Sequence, residues 1–194
     1  MNTPRRQCCP RRSIALLLGA LAACGAPPRI ELLDPAGGRH DPLTAAADLV
    51  QVFVVTSQEC PIANAYSPAI GELARVWQNL PVELWIVHAD PDLDAAAAAA
   101  HQRDYALPDT VLLDPTHALI GALGATRTPE AIVRRNGVIL YRGRIDDQWN
   151  DLGARGQSAS THDLRDAVDA ALAGRPVAEP VTEVIGCLLP EPRR

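Results

Sequence analysis

Cys60 lies in Thr56-Ser57-Gln58-Glu59-Cys60-Pro61, where an apolar run hands over to a stretch of helical period. A thiol placed at a helix N-terminus meets unpaired N–H groups and the positive end of the helix dipole. Both favour the thiolate, which is the form that attacks. Free cysteine is also a common core residue, so the junction alone admits a reactive thiol and a buried structural one. The second candidate thiol is Cys187, in Val184-Ile185-Gly186-Cys187-Leu188-Leu189-Pro190. Cys187 has three readings, as a resolving thiol, as one half of a permanent staple for the tail, or as an unpaired thiol. Pairing needs the two Cα atoms within about 7 Å, which sequence does not fix.

Other polar groups carry weaker signals. Glu59 beside Cys60 would raise the thiol pKa and oppose the dipole if it came close. Asp146-Asp147 is a carboxylate pair, read as a solvated turn with local arginine partners. His40, His88, His101, His117 and His162 have no zinc-like spacing, so neither metal nor cofactor is expected. All basic residues are arginine and there is no lysine. That excludes Schiff-base chemistry and a Walker-type phosphate loop.

The elements around these residues follow from periodicity. Leu49–Val55 is β-branched and apolar throughout, as a strand buried on both faces would be. Pro61 suits the first helical position, and Ile62, Tyr66, Ile70, Leu73 and Val76/Trp77 recur at helical spacing to about Asn79. Val82–His88 reads as a second central strand. Asp90 to Asp94 is expected to open a helix through the alanine block to about Tyr105. Thr110–Leu113 is a third strand, and His117–Leu123 is a short helix stopped by Gly124. Asn136-Gly137 between two alternating runs is a strong hairpin signal. Thr161–Leu172 is an amphipathic helix ended by Gly174. This order implies an α/β domain whose sheet is partly parallel, with helices on both faces.

The N-terminus reads as a targeting segment. Arg5, Arg6, Arg11 and Arg12 precede a short apolar stretch, Ile14 to Ala23, too short to span a bilayer. Removing residues 1–23 takes away four arginines and no acid, which moves the formal charge from −5 to −9. An acidic chain argues against nucleic acid as a partner. The chain therefore divides into residues 1–23 as signal peptide, 24–47 as a tether with at most one short strand near Ile30–Leu33, 48–175 as one domain, and 176–194 as a tail carrying Cys187.

Two resemblances sharpen this reading. Leu21-Ala22-Ala23-Cys24-Gly25 resembles the lipobox of bacterial lipoproteins, which implies cleavage before Cys24 and a lipid on its sulfur. The protein would then sit in the cell envelope, facing the periplasm or exterior. From Leu49 to Gly174 the element order resembles the thioredoxin fold, with a cysteine after the first central strand and Thr128-Pro129 before the hairpin. More narrowly it is similar to the redoxin branch that includes peroxiredoxins of the alkyl hydroperoxide reductase/thiol-specific antioxidant type. The resemblance implies a central mixed sheet flanked by helices. It also implies a cis-proline at Pro129, with the backbone of Thr128 held against a substrate's sulfur or extended chain.

Departures from the family pattern bear on activity. Ala63 stands where thioredoxins carry their second cysteine, so exchange within the Cys60 turn is excluded. Against the peroxiredoxin pattern, Ser57 supplies the expected hydroxyl but Phe53 replaces a proline. Arg127 and Arg144 are the nearest candidates for the arginine that polarises a peroxide. Some peroxiredoxins resolve with a C-terminal cysteine, the role Cys187 would take. The leading expectation is an envelope-anchored thiol–disulfide oxidoreductase with Cys60 as nucleophile, possessing protein thiols or disulfides as substrates and an unidentified dithiol as electron donor. A thiol peroxidase acting on a small peroxide, and a non-catalytic lipoprotein binding module with a structural disulfide, are the alternatives.

Overall fold

The computed structural model describes residues 29–194. The signal-peptide segment 1–23 and the lipidation site Cys24 lie outside the described residues. Strands are β1 (Leu32–Leu33), β2 (Arg39–His40), β3 (Val50–Thr56), β4 (Val82–His88), β5 (Val111–Leu113), β6 (Arg127–Thr128), β7 (Glu130–Arg135), β8 (Val138–Gly143), β9 (Trp149–Asp151), β10 (Ala154–Arg155) and β11 (Cys187–Leu188). Helices are α1 (Pro61–Trp77), α2 (Ala95–Asp104), α3 (Ala118–Leu123) and α4 (Asp163–Leu172).

A seven-stranded mixed sheet runs in the order β2-β1-β5-β4-β3-β7-β8. β3 lies inside it, parallel to β4 and antiparallel to β7, and every one of its residues is buried. That position explains its unbroken apolar run, because a strand covered on both faces has no side to give to water. Val50, Val52 and Val54 face a core shared with Ile62, Tyr66 and Ile70 of α1 and Leu164 and Val168 of α4. Phe53 and Val55 face the opposite core, with Leu119, Ile120 and Leu123 of α3. Helices therefore cover both faces, and the fold is thioredoxin-like.

The Asn136-Gly137 turn has φ of 52° and 82°. These are the left-handed conformations that a two-residue type I′ hairpin needs, and they link β7 to β8. Two segments differ from the sequence reading. Residues 29–47 hold two short strands rather than one; β1 pairs with β5 and β2 extends the sheet, with Leu32 buried. The helix through the alanine block starts at Ala95, later than expected. Asp94 is its N-cap and accepts from the Ala97 N–H at 2.8 Å. Asp90 lies ahead of the helix and is free to bond elsewhere.

The tail crosses the sheet edge before it reaches the first helix. Pro180 O accepts from Arg142 N at 2.9 Å, and Thr182 N donates to Arg142 O at 3.2 Å. The Thr182 hydroxyl lies 2.7 Å from the Tyr141 hydroxyl and accepts from Arg144 N at 3.1 Å. Beyond it, β11 pairs antiparallel with β6 in a separate two-stranded sheet.

Candidate active site

β3 ends at Thr56, and residues 57–59 turn the chain into α1. Cys60 is the N-cap of that helix, with extended backbone angles (φ −85°, ψ 107°), and Pro61 takes the first helical position. The cap role puts sulfur where a serine or aspartate oxygen would sit. The Ala63 N–H donates to Cys60 Sγ at 3.4 Å. This is one of the orphan donors at the helix start, and it is aimed at the sulfur.

The cis Thr128–Pro129 peptide faces this cap from the other side. The Cys60 thiol donates to Thr128 O at 3.1 Å. The turn bearing Thr128 is held by Glu130, which is buried. Its carboxylate accepts from the Thr126 N–H at 2.7 Å and the Arg127 N–H at 3.1 Å, with the Arg142 guanidinium 3.6 Å away. Cys187 sits opposite Thr128 in the β6–β11 register. That register brings the Cys187 thiol and N–H beside the Cys60 sulfur, and both cysteines are free. Cys60, Thr128, Pro129 and Cys187, scattered along the chain, thus meet at one point. Cys60 itself is only 1% exposed.

The two thiols differ in acidity. Burial pushes the Cys60 thiol up, but the Ala63 N–H bonded to the sulfur and the polar groups of Cys187 and Thr128 beside it outweigh burial. The net direction is below the ordinary thiol value. The Thr128 hydroxyl is buried without a hydrogen-bond partner, so it is available to donate once the sulfur ionises. Burial and the neighbouring Cys60 sulfur push Cys187 up to about 11. A single negative charge on the pair therefore resides on Cys60, and Cys187 keeps its proton.

Ser57 lies in the turn, and its hydroxyl is engaged by Asp90 and the Glu59 N–H. It donates to Asp90 Oδ1 at 2.5 Å and accepts from the Glu59 N–H at 3.3 Å. Asp90 Oδ2 also accepts from the Gln58 N–H at 2.9 Å and lies 3.3 Å from His88 Nδ1. Asn64 closes the turn from the helix side, donating to Gln58 O at 2.9 Å. Its Oδ1 is 2.8 Å from His101 Nε2, so that nitrogen carries the imidazole proton. The sequence assigns no role at the turn to Asp90, Asn64 or His101; His101 enters there only among the histidines without zinc-like spacing. Asp90 was hidden by its place in an acidic run that reads as a helix start.

The remaining candidates lie off the sulfur. Glu59 is exposed. The Arg127 guanidinium donates to Gly186 O at 3.3 Å, and Arg144 is bonded to Asp163 at 2.9 Å. Asp146 accepts from the Tyr66 hydroxyl at 2.5 Å, while Asp147 caps Ser160 and Thr161. Trp149, with the Arg155 guanidinium 6.0 Å from its ring centre, packs against the core that holds Cys60 and lines a small cavity with Pro129, Tyr66 and Ile185.

Comparison with known proteins agrees with this architecture. A hypothetical protein from Sinorhizobium meliloti superimposes with a TM-score of 0.72 at 22% identity, covering 84% of this chain and 90% of that one. An uncharacterized conserved protein from Geobacillus kaustophilus gives 0.71 at 23% identity, over 84% and 88%. A secreted disulfide oxidoreductase from Mycobacterium tuberculosis, homologous to E. coli DsbE, gives 0.51 at 15% identity, over 75% and 96%. At these identities the likeness is one of fold. Among curated proteins none matches the sequence at a significant level. The model of the AhpC/TSA family matches residues 26–148, which hold the Cys60 turn, the cis-proline and the hairpin, and the chain belongs to that family.

Proposed function

We propose that the protein is an envelope-anchored thiol–disulfide oxidoreductase in which Cys60 is the nucleophile and Cys187 the resolving thiol. The observation that carries this is the meeting of both thiols at the cap of α1, against Thr128, with opposite shifts in acidity. Opposite shifts give the pair an attacking and a waiting member.

The Cys60 thiolate attacks one sulfur of a substrate disulfide. A Cys60–substrate disulfide forms and the other substrate sulfur leaves as thiolate. Cys187 then passes its proton to that thiolate or to water and attacks Cys60 Sγ. The Cys60–Cys187 bond forms and the second substrate sulfur leaves. The substrate gains two electrons and the cysteine pair loses two, to be restored by an external dithiol. Thr128 and Pro129 act as the platform beside the sulfur, and Ser57 acts as a positioning residue through Asp90. The anchor would be a lipid on Cys24, and the reading rests there on the basic head, the apolar stretch and the Leu21–Gly25 motif.

Membership of the AhpC/TSA family favours a second reading, reduction of a small peroxide. Cys60 would then become a sulfenic acid, releasing water or an alcohol, and Cys187 would condense with it. Against this, the guanidinium groups of Arg127 and Arg144 are bonded to Gly186 and Asp163. The test is disulfide reduction and peroxide consumption by the purified chain with a dithiol donor, each repeated with Cys60→Ser. Disulfide turnover lost in the variant supports the proposal; peroxide turnover alone transfers the assignment to the second reading. Absence of both, with a Cys60–Cys187 bond resistant to mild reductant, leaves a binding module stapled at its tail.

A further inference from the structure

β6 is two residues long, and its pairing partner among the described residues is the tail strand β11. Three features of that contact stand out. Cys187 is opposite Thr128, so the tail delivers its sulfur to the place where any incoming sulfur must arrive. Gly186 packs so closely on the Thr128–Pro129 backbone that a Cβ there would collide with the Thr128 carbonyl. Gly186 is not at positive φ, so it is required by the close approach and not by a turn. Finally, Cys60 is almost fully covered while the tail is seated.

We propose that the Gly186-Cys187 strand stands in for substrate. A polypeptide disulfide reaches Cys60 by taking the tail's place on β6, and it is selected for a glycine immediately before its cysteine. This rests on the oxidoreductase reading and adds to it what the site selects in a substrate strand. The binding itself would hold even if Cys60 proved inert. Main-chain pairing with β6 supplies attraction independent of sequence, and the Thr128 carbonyl supplies the rejection of any residue with a Cβ at that position. The substrate strand and β11 then compete for one site. Return of the tail brings Cys187 to the mixed disulfide and removes the reduced product strand in the same movement. The bonds made and broken are those of the exchange above.

Full-length protein and synthetic hexapeptides patterned on Val184–Leu189 test this. Serine replaces cysteine in the peptides, so that binding is read without redox chemistry. One peptide keeps glycine before the serine and the other carries valine. Gly186→Val unseats the tail strand of the protein. Thr182→Ala, which removes the hydroxyl bonded to Tyr141 and Arg144, loosens the tail by a second route should Gly186→Val fold poorly. With the tail unseated the occluded fraction no longer reduces affinity, so the glycine peptide should bind either variant at least roughly tenfold more tightly than wild type. The valine peptide should bind neither. Equal binding to wild type and both variants, or equal binding of the two peptides, overturns the proposal. Loss of reaction between Cys60 and hydroxyethyl disulfide would strike at the nucleophile assignment alone, because the serine peptides do not depend on it.

Discussion

Sulfur at an N-cap position is an unusual use of a residue that elsewhere fills cores. Cys60 has core-like burial, yet the Ala63 N–H donates to its sulfur and the polar groups of Cys187 and Thr128 lie beside it. Those groups set the direction of its acidity. Alkylation of Cys60 in reduced protein, read by mass spectrometry against pH, should therefore reach its plateau at lower pH than a free thiol does. Rate rises as pH climbs through the folded-state pKa and falls below it, because only the thiolate attacks. Cys187→Ala removes one donor and should move the profile upward in pH. An unchanged profile would separate the two thiols. Cys60→Ser puts an oxygen in place of the capping sulfur, where serine is a favoured cap, so it should leave the melting transition nearly unchanged while abolishing turnover.

At the scale of elements, the Cys60 turn is braced from behind by Asp90 after β4 and by Asn64 and His101 between α1 and α2. Burial, with the nearby His88 second, holds the His101 pKa down to about 4 from an ordinary 6.5. The unfolded chain takes up that proton near pH 6.5 and the folded chain only near pH 4. Stability is thus full above about 6.5 and declines as pH falls toward 4, by up to about 3 kcal/mol from this group. His101→Gln keeps a donor for Asn64 but does not titrate, so the difference between its urea-unfolding free energy and that of wild type should vary across that window. A constant difference would contradict the assignment. On the opposite side, Glu130→Ala leaves the Thr126 and Arg127 N–H groups and Arg142 without their carboxylate. A loss of roughly 1–3 kcal/mol in urea unfolding is expected, mainly from the two N–H groups left without an acceptor, because Arg142 is itself 39% exposed. Much of this frame was legible in the chain. The apolar Leu49–Val55 run, Pro61 at the helix start and Asn136-Gly137 each carry a local rule strong enough to survive tertiary context. Asp90 was not legible, since an aspartate among Pro91, Asp92 and Asp94 looks like a helix cap until the turn at Ser57 is brought beside it. The meeting of Cys187 with Cys60 was open for the same reason: nothing local in the tail states which strand it will pair with.

The whole molecule is organised so that its last segment returns to the cap of its first helix. The tail is fastened at β8 by Thr182, passes over the sheet edge and ends with Cys187 at the cap of α1. Oxidation would close nearly the entire domain into one loop. In the chain-entropy description this stabilises by roughly 4–5 kcal/mol, so oxidised protein should unfold at higher denaturant than reduced protein. Cys24→Ala should release the protein from membrane fractions, with the folded domain unaffected. Retention of the variant would end the lipid-anchor proposal. The most direct measurement is an equilibrium redox titration of wild-type protein in a graded dithiol/disulfide buffer, with peptide mapping of the cysteines at each point. A reversible two-electron transition that joins Cys60 to Cys187 is expected. Two thiols that stay reduced throughout, or a bond that no mild reductant opens, would contradict the assignment of these cysteines as a working redox pair.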